Sequence, residues 1–422
     1  MQTDQGLSRC PQCDHEIAAD PQYVTWCDKC DWNVDPTGSD EHLPAWRQRI
    51  EHRLADNLYR ELEQGRIQRP GWDAARVTAY LLSALILLLP LAGLIGGIYA
   101  LISYRPIWVG ILVSLIPFGV TLLLRPRANR LDPDAHVVRR DEAPLLFGLL
   151  DKLATTIGTR RVGLIVLTPY PNIAFGRVGW RFTPVISIGL SLWAGLRPQE
   201  RVAVLAHELG HGKNGDALHG WVVGSALAAL EEIQLTVSEQ PLDDYRDDVI
   251  AYHGDGRSAS LFNRILEMTV GLAARGVHWL LTLVDLRAGQ REEYLADRRA
   301  AEIAGSEATA WALERLPLGE TSYRALERAL RFGSEVEPLE AATRAVREIP
   351  AREVERRIRV SRLRETRSDT SHPPTNLRTK LIRARPAQHA LVVLGTDENR
   401  AIDRELAGPA QAVLKELRSE LR

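Results

Sequence analysis

From Val77 to Tyr104 the chain carries no charged residue, and after a lone Arg105 a second uncharged stretch extends from Pro106 to Leu124. At about 1.5 Å of rise per residue, a helix over the first stretch crosses a hydrocarbon layer of about 30 Å with length to spare, and one over the second just reaches. The pattern predicts a two-helix transmembrane hairpin over residues 76–125, joined by a very short turn. Pro90 and Pro117 fall inside it, which membrane helices tolerate better than soluble ones, and Tyr104 and Trp108 lie where an interfacial aromatic belt belongs. A hairpin buried in a soluble core is the competing reading. The flanks favour the membrane: Arg66, Arg69 and Arg76 precede the hairpin, and Arg125, Arg127 and Arg130 follow it. Basic flanks stay cytoplasmic, so a two-pass protein of the cell membrane with both termini cytoplasmic is expected. The polar N-terminus and the late start of the apolar run predict no secretory signal.

Outside the hairpin the composition is that of a globular protein. With 45% hydrophobic and 25% charged residues the chain is neither disordered nor collagen-like, and that density of charge excludes a transporter made mostly of spanning helices. Fifty-three basic side chains against 54 acidic ones leave a net charge of −1, so no global basic field draws the molecule to nucleic acid, and no nucleic-acid partner is expected.

All four cysteines, Cys10, Cys13, Cys27 and Cys30, fall within the first thirty residues. That distribution argues against a disulfide-stabilised fold. Two C-x2-C pairs with thirteen residues between them can present four thiolates to one tetrahedral Zn²⁺, so residues 1–36 read as a structural zinc ribbon. A redox role for the pairs needs a βαβ context that this segment lacks. Asp14, Glu16, Asp20, Asp28 and Asp31 make the ribbon acidic, which favours a docking or recruitment role over DNA binding. Beyond it, Trp46, Ile50, Leu54, Leu58 and Leu62 repeat every four residues. The stripe predicts an amphipathic helix over Pro44 to Gln64, packed against the body of the protein or lying on the membrane surface.

The chemistry is concentrated further on. Pro198 opens a helical segment on which His207 and His211 stand four apart, hence on one face, with Glu208 beside them. This H-E-x-x-H pattern suits a metal hydrolase: two imidazoles hold a Zn²⁺, a third ligand completes the site, and the carboxylate between them serves as general base towards a metal-bound water. Downstream, Glu293 and Asp297 share one face of another helical segment. Glu293 is within reach of the metal in such an arrangement, and Asp297 can orient an imidazole by accepting its free N–H. By spacing alone an exposed charged helix explains the pair equally well.

Three stretches in this order, His207 to Asp216 (HELGHGKNGD), Glu293 to Asp297 (EYLAD) and Ser371 to Pro374 (SHPP), resemble the membrane zinc metalloproteases of the HtpX and CAAX prenyl endopeptidase type. The resemblance covers roughly Asp141 to Arg385 and the hairpin ahead of it. It implies His207, His211 and Glu293 as ligands of a catalytic zinc, Glu208 as general base and Asp297 as a supporting carboxylate. It also implies a substrate-clamping role for Asn172, just before an expected edge strand to which an extended substrate adds, although Ile173-Ala174 departs from the family's usual order there. His372 precedes two prolines that fix its backbone; it reads either as a donor to the oxyanion of the reaction or as a histidine of purely structural role.

Short strands are expected over Val162 to Leu167 and Val185 to Ile188, and long helices over 217–237 and 261–288. Glu231, Glu232, Glu267 and Arg275 make lipid-facing spans of the latter costly, so they read as amphipathic helices of the catalytic domain. The arginine-rich 351–367 reads as a helix with a solvated face, or as a basic strip for anionic lipid. The expected organisation is a zinc ribbon (1–36), an amphipathic helix and linker (37–75), the hairpin (76–125), a zinc metallopeptidase domain (126–390), mainly α with a small β-sheet in a zincin-like α+β fold, and a C-terminal helix (391–422). The expected activity is a membrane-anchored zinc endopeptidase with one catalytic and one structural Zn²⁺, its active site cytosolic and its substrates polypeptides, membrane proteins foremost. A catalytically inactive zinc adaptor that recruits partners through its ribbon is the alternative.

Overall fold

The computed structural model describes residues 6–36, 45–65, 74–125, 130–179, 181–214, 217–237, 270–364 and 373–422. The chain divides into two units interleaved in sequence. One comprises residues to Gln68, Asp134–Asn214 and everything from Gln290; the other comprises Arg69–Pro133 and Gly215–Gly289.

In the first unit, strands β1 (Gly6–Arg9) and β2 (Glu16–Ala19) pair antiparallel and frame the four cysteines. Asp14 and Asp31, each directly after the second cysteine of a pair, take left-handed backbone angles (φ 56° and 57°) that Asp adopts more readily than most residues. Those turns bring Cys10 Sγ to 3.6 Å from Cys30 Sγ and Cys13 Sγ to 3.6 Å from Cys27 Sγ. Helix α1 (Ala45–Gln64) buries Leu58 and Leu62 against Tyr294, Leu295 and Leu381. Its apolar stripe is therefore covered by protein, at least over these turns; the side chains of Trp46 and Ile50 lie outside the described set.

A four-stranded sheet forms the centre of this unit. It contains β3 (His136–Val138), β4 (Leu164–Thr168), β5 (Ile173–Val178) and β6 (Thr183–Gly189), in the order β3-β4-β6-β5. Strands β4 and β6 run parallel while β3 and β5 are antiparallel to their neighbours, which leaves β5 on an edge. One continuous core joins the sheet to α4 (Pro144–Ile157), α5 (Leu190–Gly195), α6 (Pro198–Asn214) and α14 (Thr396–Glu420), numbering the helices in chain order. The last helix contributes Ile402, Leu406, Val413 and Leu417 to that core.

The second unit holds α2 (Ala74–Ser103), α3 (Ile107–Leu124) and α7 (Ala217–Val237). Thr121 Oγ1 on α3 donates to the carbonyl of Pro90 on α2 (3.0 Å), a hydrogen bond that joins the two helices. Arg76–Ser103 is the one described helix long and apolar enough to cross a membrane, while the apolar Ile107–Leu122 is shorter. Only 22% of the first span is buried, and Leu81, Leu85, Tyr99 and Ile116 are more than 60% exposed. A soluble core helix would hide such residues.

Helix α7 and the start of α8 (Leu272–Ala304) correct one expectation. Val223, Ala226, Leu230, Ala274 and Leu281 cluster with Ala79 and Ile86, so this stretch packs with the hairpin's unit instead of forming amphipathic helices of the catalytic domain. Residues 261–269 of the expected helix lie outside the described residues. Helices α9 (Ser306–Arg315), α10 (Gly319–Phe332), α11 (Pro338–Arg347), α12 (Ala351–Arg364) and α13 (Thr375–Arg383) complete the first unit.

Helix α12 is neither a solvated face nor a lipid strip. Trp26, 1% exposed, lies between the guanidinium groups of Arg352 and Arg359, 5.1 and 4.9 Å from its ring centroid. Arg352 donates to the carbonyl of Trp26, Arg356 to that of Val34, and Arg359 to the carbonyl of Asp28 and the carboxylate of Asp31. The acidic ribbon is thus seated on the basic helix of its own chain. Within α12, Glu353 neutralises Arg356 and Arg357.

Candidate metal centre

Helix α6 begins with Pro198, a residue pre-organised for a first turn, and Glu200 accepts from the backbone N–H of Arg197 (2.8 Å), the reciprocal half of a capping box. Glu200 is 1% exposed and also holds Arg315 at 2.9 Å. Next to it, Arg201 is buried against the Trp193 carbonyl and Asp403 of α14. The helix that carries the histidines is therefore fixed on several sides before it reaches them.

His207 and His211 project from α6 towards Glu293 of α8. Nε2 of His207 lies 3.1 Å from Nε2 of His211 and 3.4 Å from Glu293 Oε2, and His211 Nε2 lies 3.2 Å from Glu293 Oε1. In a tetrahedral site with bonds of about 2.0–2.2 Å, donor atoms stand about 3.3–3.6 Å apart. The three side chains fit one divalent metal. Two imidazole nitrogens facing one another beside a carboxylate is also an arrangement that needs a shared cation, either a metal or a proton. The four thiolates meet the same test, since bonds of about 2.3 Å call for Sγ separations of about 3.8 Å, and all four ligand atoms lie within 4.8 Å of one another.

Asp297, one turn after Glu293, stands 3.0 Å from His207 Nδ1, off the ideal line for a hydrogen bond. Both are buried. The side chain that fixes Asp297 was not foreseen from the sequence: Arg378 of α13, 3% exposed, donates to both of its oxygens and lies 3.4 Å from His207 Nε2 and from Glu293 Oε2. Burial alone would raise the carboxyl pKa of Asp297, but the Arg378 charge overrides it and holds it at about 2. Burial likewise opposes charge on His207, yet its contacts with Asp297 and Glu293 push its pKa up to about 9. The available signal for Arg378 was its place on the inward face of an amphipathic helix, in register with Leu381 and Ile382.

Glu208 is half-buried and accepts a hydrogen bond (2.9 Å) from the backbone N–H of Phe175 on the edge strand β5. Asn172 sits at the head of that strand, as expected. Its backbone carbonyl accepts from the N–H of Gly189 (2.7 Å), and a Cβ on Gly189 would stand 1.8 Å from the Tyr170 carbonyl oxygen, so only glycine lets this turn close over the end of β6. The structure therefore gathers His207, Glu208, His211, Glu293 and Asp297 in one place, with the Asn172 strand attached through Glu208. His372 lies outside the described residues.

Residues 178–386 match the family model of Peptidase family M48. Among curated proteins, the chain is 25% identical over 268 residues to Protease HtpX of Xanthomonas campestris pv. campestris (strain B100), an alignment covering 61% of this chain and 87% of that one. It is 26% identical over 271 residues to Protease HtpX of Xanthomonas axonopodis pv. citri (strain 306), with the same coverage. No solved structure matches. The M48 match contains both histidines, Glu293 and Arg378, and together with the similarity to the HtpX proteases it supports an HtpX-type zinc metalloprotease family for this chain.

Proposed function

We propose that the chain is a membrane-anchored zinc endopeptidase that hydrolyses polypeptides at the cytosolic membrane face, with misfolded or damaged membrane proteins as its substrates. The observation that carries the reading is the set of 3.1, 3.2 and 3.4 Å separations among His207, His211 and Glu293. These three residues would hold the catalytic zinc, and Cys10, Cys13, Cys27 and Cys30 a structural one. Bound zinc supplies a Lewis acid and lowers the pKa of its water towards 7. The chain's own residues do the rest. Asp297, held by Arg378, keeps the His207 ring turned so that Nε2 faces the other ligands. Glu208 takes a proton from the attacking water on its carboxylate and passes it to the leaving amine. Its bond to the Phe175 N–H ties it to β5, where an extended substrate adds as a further strand with Asn172 at its end. His372 is proposed as a donor to the oxyanion.

The apolar, exposed faces of α2 and α3 support anchoring by both helices, and the arginines flanking them support cytoplasmic termini and a cytoplasmic active site. The adaptor reading is weaker, because the ligand set is intact and the ribbon's Trp26, Asp28 and Asp31 are engaged with α12. Glu208→Gln tests the mechanism: the purified variant should retain its metal and lose proteolysis, and unchanged cleavage overturns the assignment.

A further inference from the structure

The C-terminal half of the edge strand carries a cation with no counter-ion among the described residues. Arg177 stands two residues after Phe175, so both side chains leave the same face of β5, and its guanidinium lies 5.9 Å from the Phe175 ring centroid. Its terminal nitrogen donates to the carbonyl of Gly212 (3.0 Å), the residue directly after His211. Gly212 permits this approach: a Cβ there would meet the Phe175 ring at 3.0 Å. Arg177, Phe175 and the end of α6 thus form one packed group beside both the base and a metal-binding histidine.

Capping a helix C-terminus uses one of the five donors of Arg177 and is favourable for a cation. It leaves the rest of the group unexplained. Nε of Arg177 is buried with no hydrogen-bond partner, and among the described residues no carboxylate pairs with it. The charge acting on it is that of Arg160, which is of the same sign; burial first, and then Arg160, lower its pKa. Among the described residues Arg160 itself reaches only a backbone carbonyl, that of Phe182 in the turn after β5. Two like charges, one of them half-buried on the strand to which substrate would add, are stabilised when an anion joins them.

We propose that Arg177, with Arg160 beside it, is a carboxylate-binding subsite of the substrate strand, and that the enzyme selects peptides presenting a carboxylate within about two or three residues of the cleaved bond. The distance follows from the position of Phe175, which marks where Glu208 meets the strand; two residues of extended chain span about 7 Å. The carboxylate comes from an Asp or Glu side chain or from a free C-terminus, and the chemistry of recognition is the same for both. The inference rests on the endopeptidase reading.

The test uses the full chain in detergent or lipid nanodiscs and a mixed-sequence peptide library, with cleavage products sequenced by mass spectrometry. Wild type should show Asp and Glu enriched about fivefold or more at one fixed position beside the cleaved bond. Arg177→Gln should abolish the enrichment and Arg177→Glu should replace it with Lys and Arg, while Arg160→Gln should weaken it with less risk to folding. A C-terminal source would appear instead as cleavage at a fixed distance from peptide ends, lost on amidation. Identical profiles for wild type, Arg160→Gln and Arg177→Glu overturn the subsite and leave the peptidase reading intact. A wild type that cleaves nothing in the library overturns both.

Discussion

Arg378 donates two hydrogen bonds, of 2.7 and 2.8 Å, to the two carboxylate oxygens of Asp297, and each side chain is only 3% exposed. Asp297 in turn stands 3.0 Å from His207 Nδ1, so a residue remote in sequence fixes the carboxylate beside one of the candidate metal ligands.

Breaking that pair should be costly in two ways. Arg378→Ala leaves a buried carboxylate unpaired, a loss of about 3–5 kcal/mol, and should weaken metal binding about 10- to 100-fold by freeing the His207 ring. Arg378→Lys should rescue only part, because an ammonium cannot make both bonds at once. Thermal unfolding and metal titration measure the two effects; wild-type affinity in Arg378→Ala would refute the role.

The raised pKa of His207 gives the metal-free protein an unusual pH dependence. Its folded pKa of about 9 exceeds the unfolded value of about 6.5. The associated stabilisation, up to about 3 kcal/mol, is therefore complete below pH ~6.5 and lost as pH rises towards ~9. Metal affinity should move the opposite way, rising over the same interval as the competing proton leaves. Chelator-treated protein melted across this range should show the decline, and Asp297→Asn should flatten it.

The ribbon should stabilise the domain on which it sits. Trp26→Ala removes a fully buried indole and both cation–π contacts, at a cost of about 3–5 kcal/mol. Cys27→Ser should lower the metal content by one ion per chain and expose the 351–364 helix to limited proteolysis. Native mass spectrometry and protease mapping read both; a protected helix in the cysteine variant would contradict the seating.

At Gly189 even one methyl group should be felt. Gly189→Ala drives a Cβ into the Tyr170 and Asn172 backbone, at a cost of roughly 3 kcal/mol. It should raise KM more than it lowers kcat, because the turn leading into the substrate strand is displaced while the metal ligands are not.

Much of the site was legible because its signals are local. His207 and His211 four apart, and Glu293 and Asp297 four apart, are helix-face patterns visible in any short window. Arg378 was not, because its partner is 81 residues away and the amphipathic pattern of its own helix marks it as inward-facing without naming that partner. The ribbon's acidity points by itself to docking and the basic character of α12 to solvent or lipid, and only the fold reveals that the two satisfy each other. The helix from Ala217 was identified by length, but its charges pointed away from the hairpin with which its apolar side packs.

The seating of Trp26 between Arg352 and Arg359 also orders events in time. The contact joins residues 326 positions apart, so at about 5–20 residues per second the ribbon waits on the order of tens of seconds for its seat to be synthesised. Throughout that interval Trp26 has no guanidinium to cover it. A nascent chain halted before Ala351 already contains His207, His211 and Glu293 but holds an unseated ribbon, and it still lacks Arg378. Docking of the first thirty-six residues thus marks a polypeptide whose synthesis has nearly reached the last side chain of its metal centre.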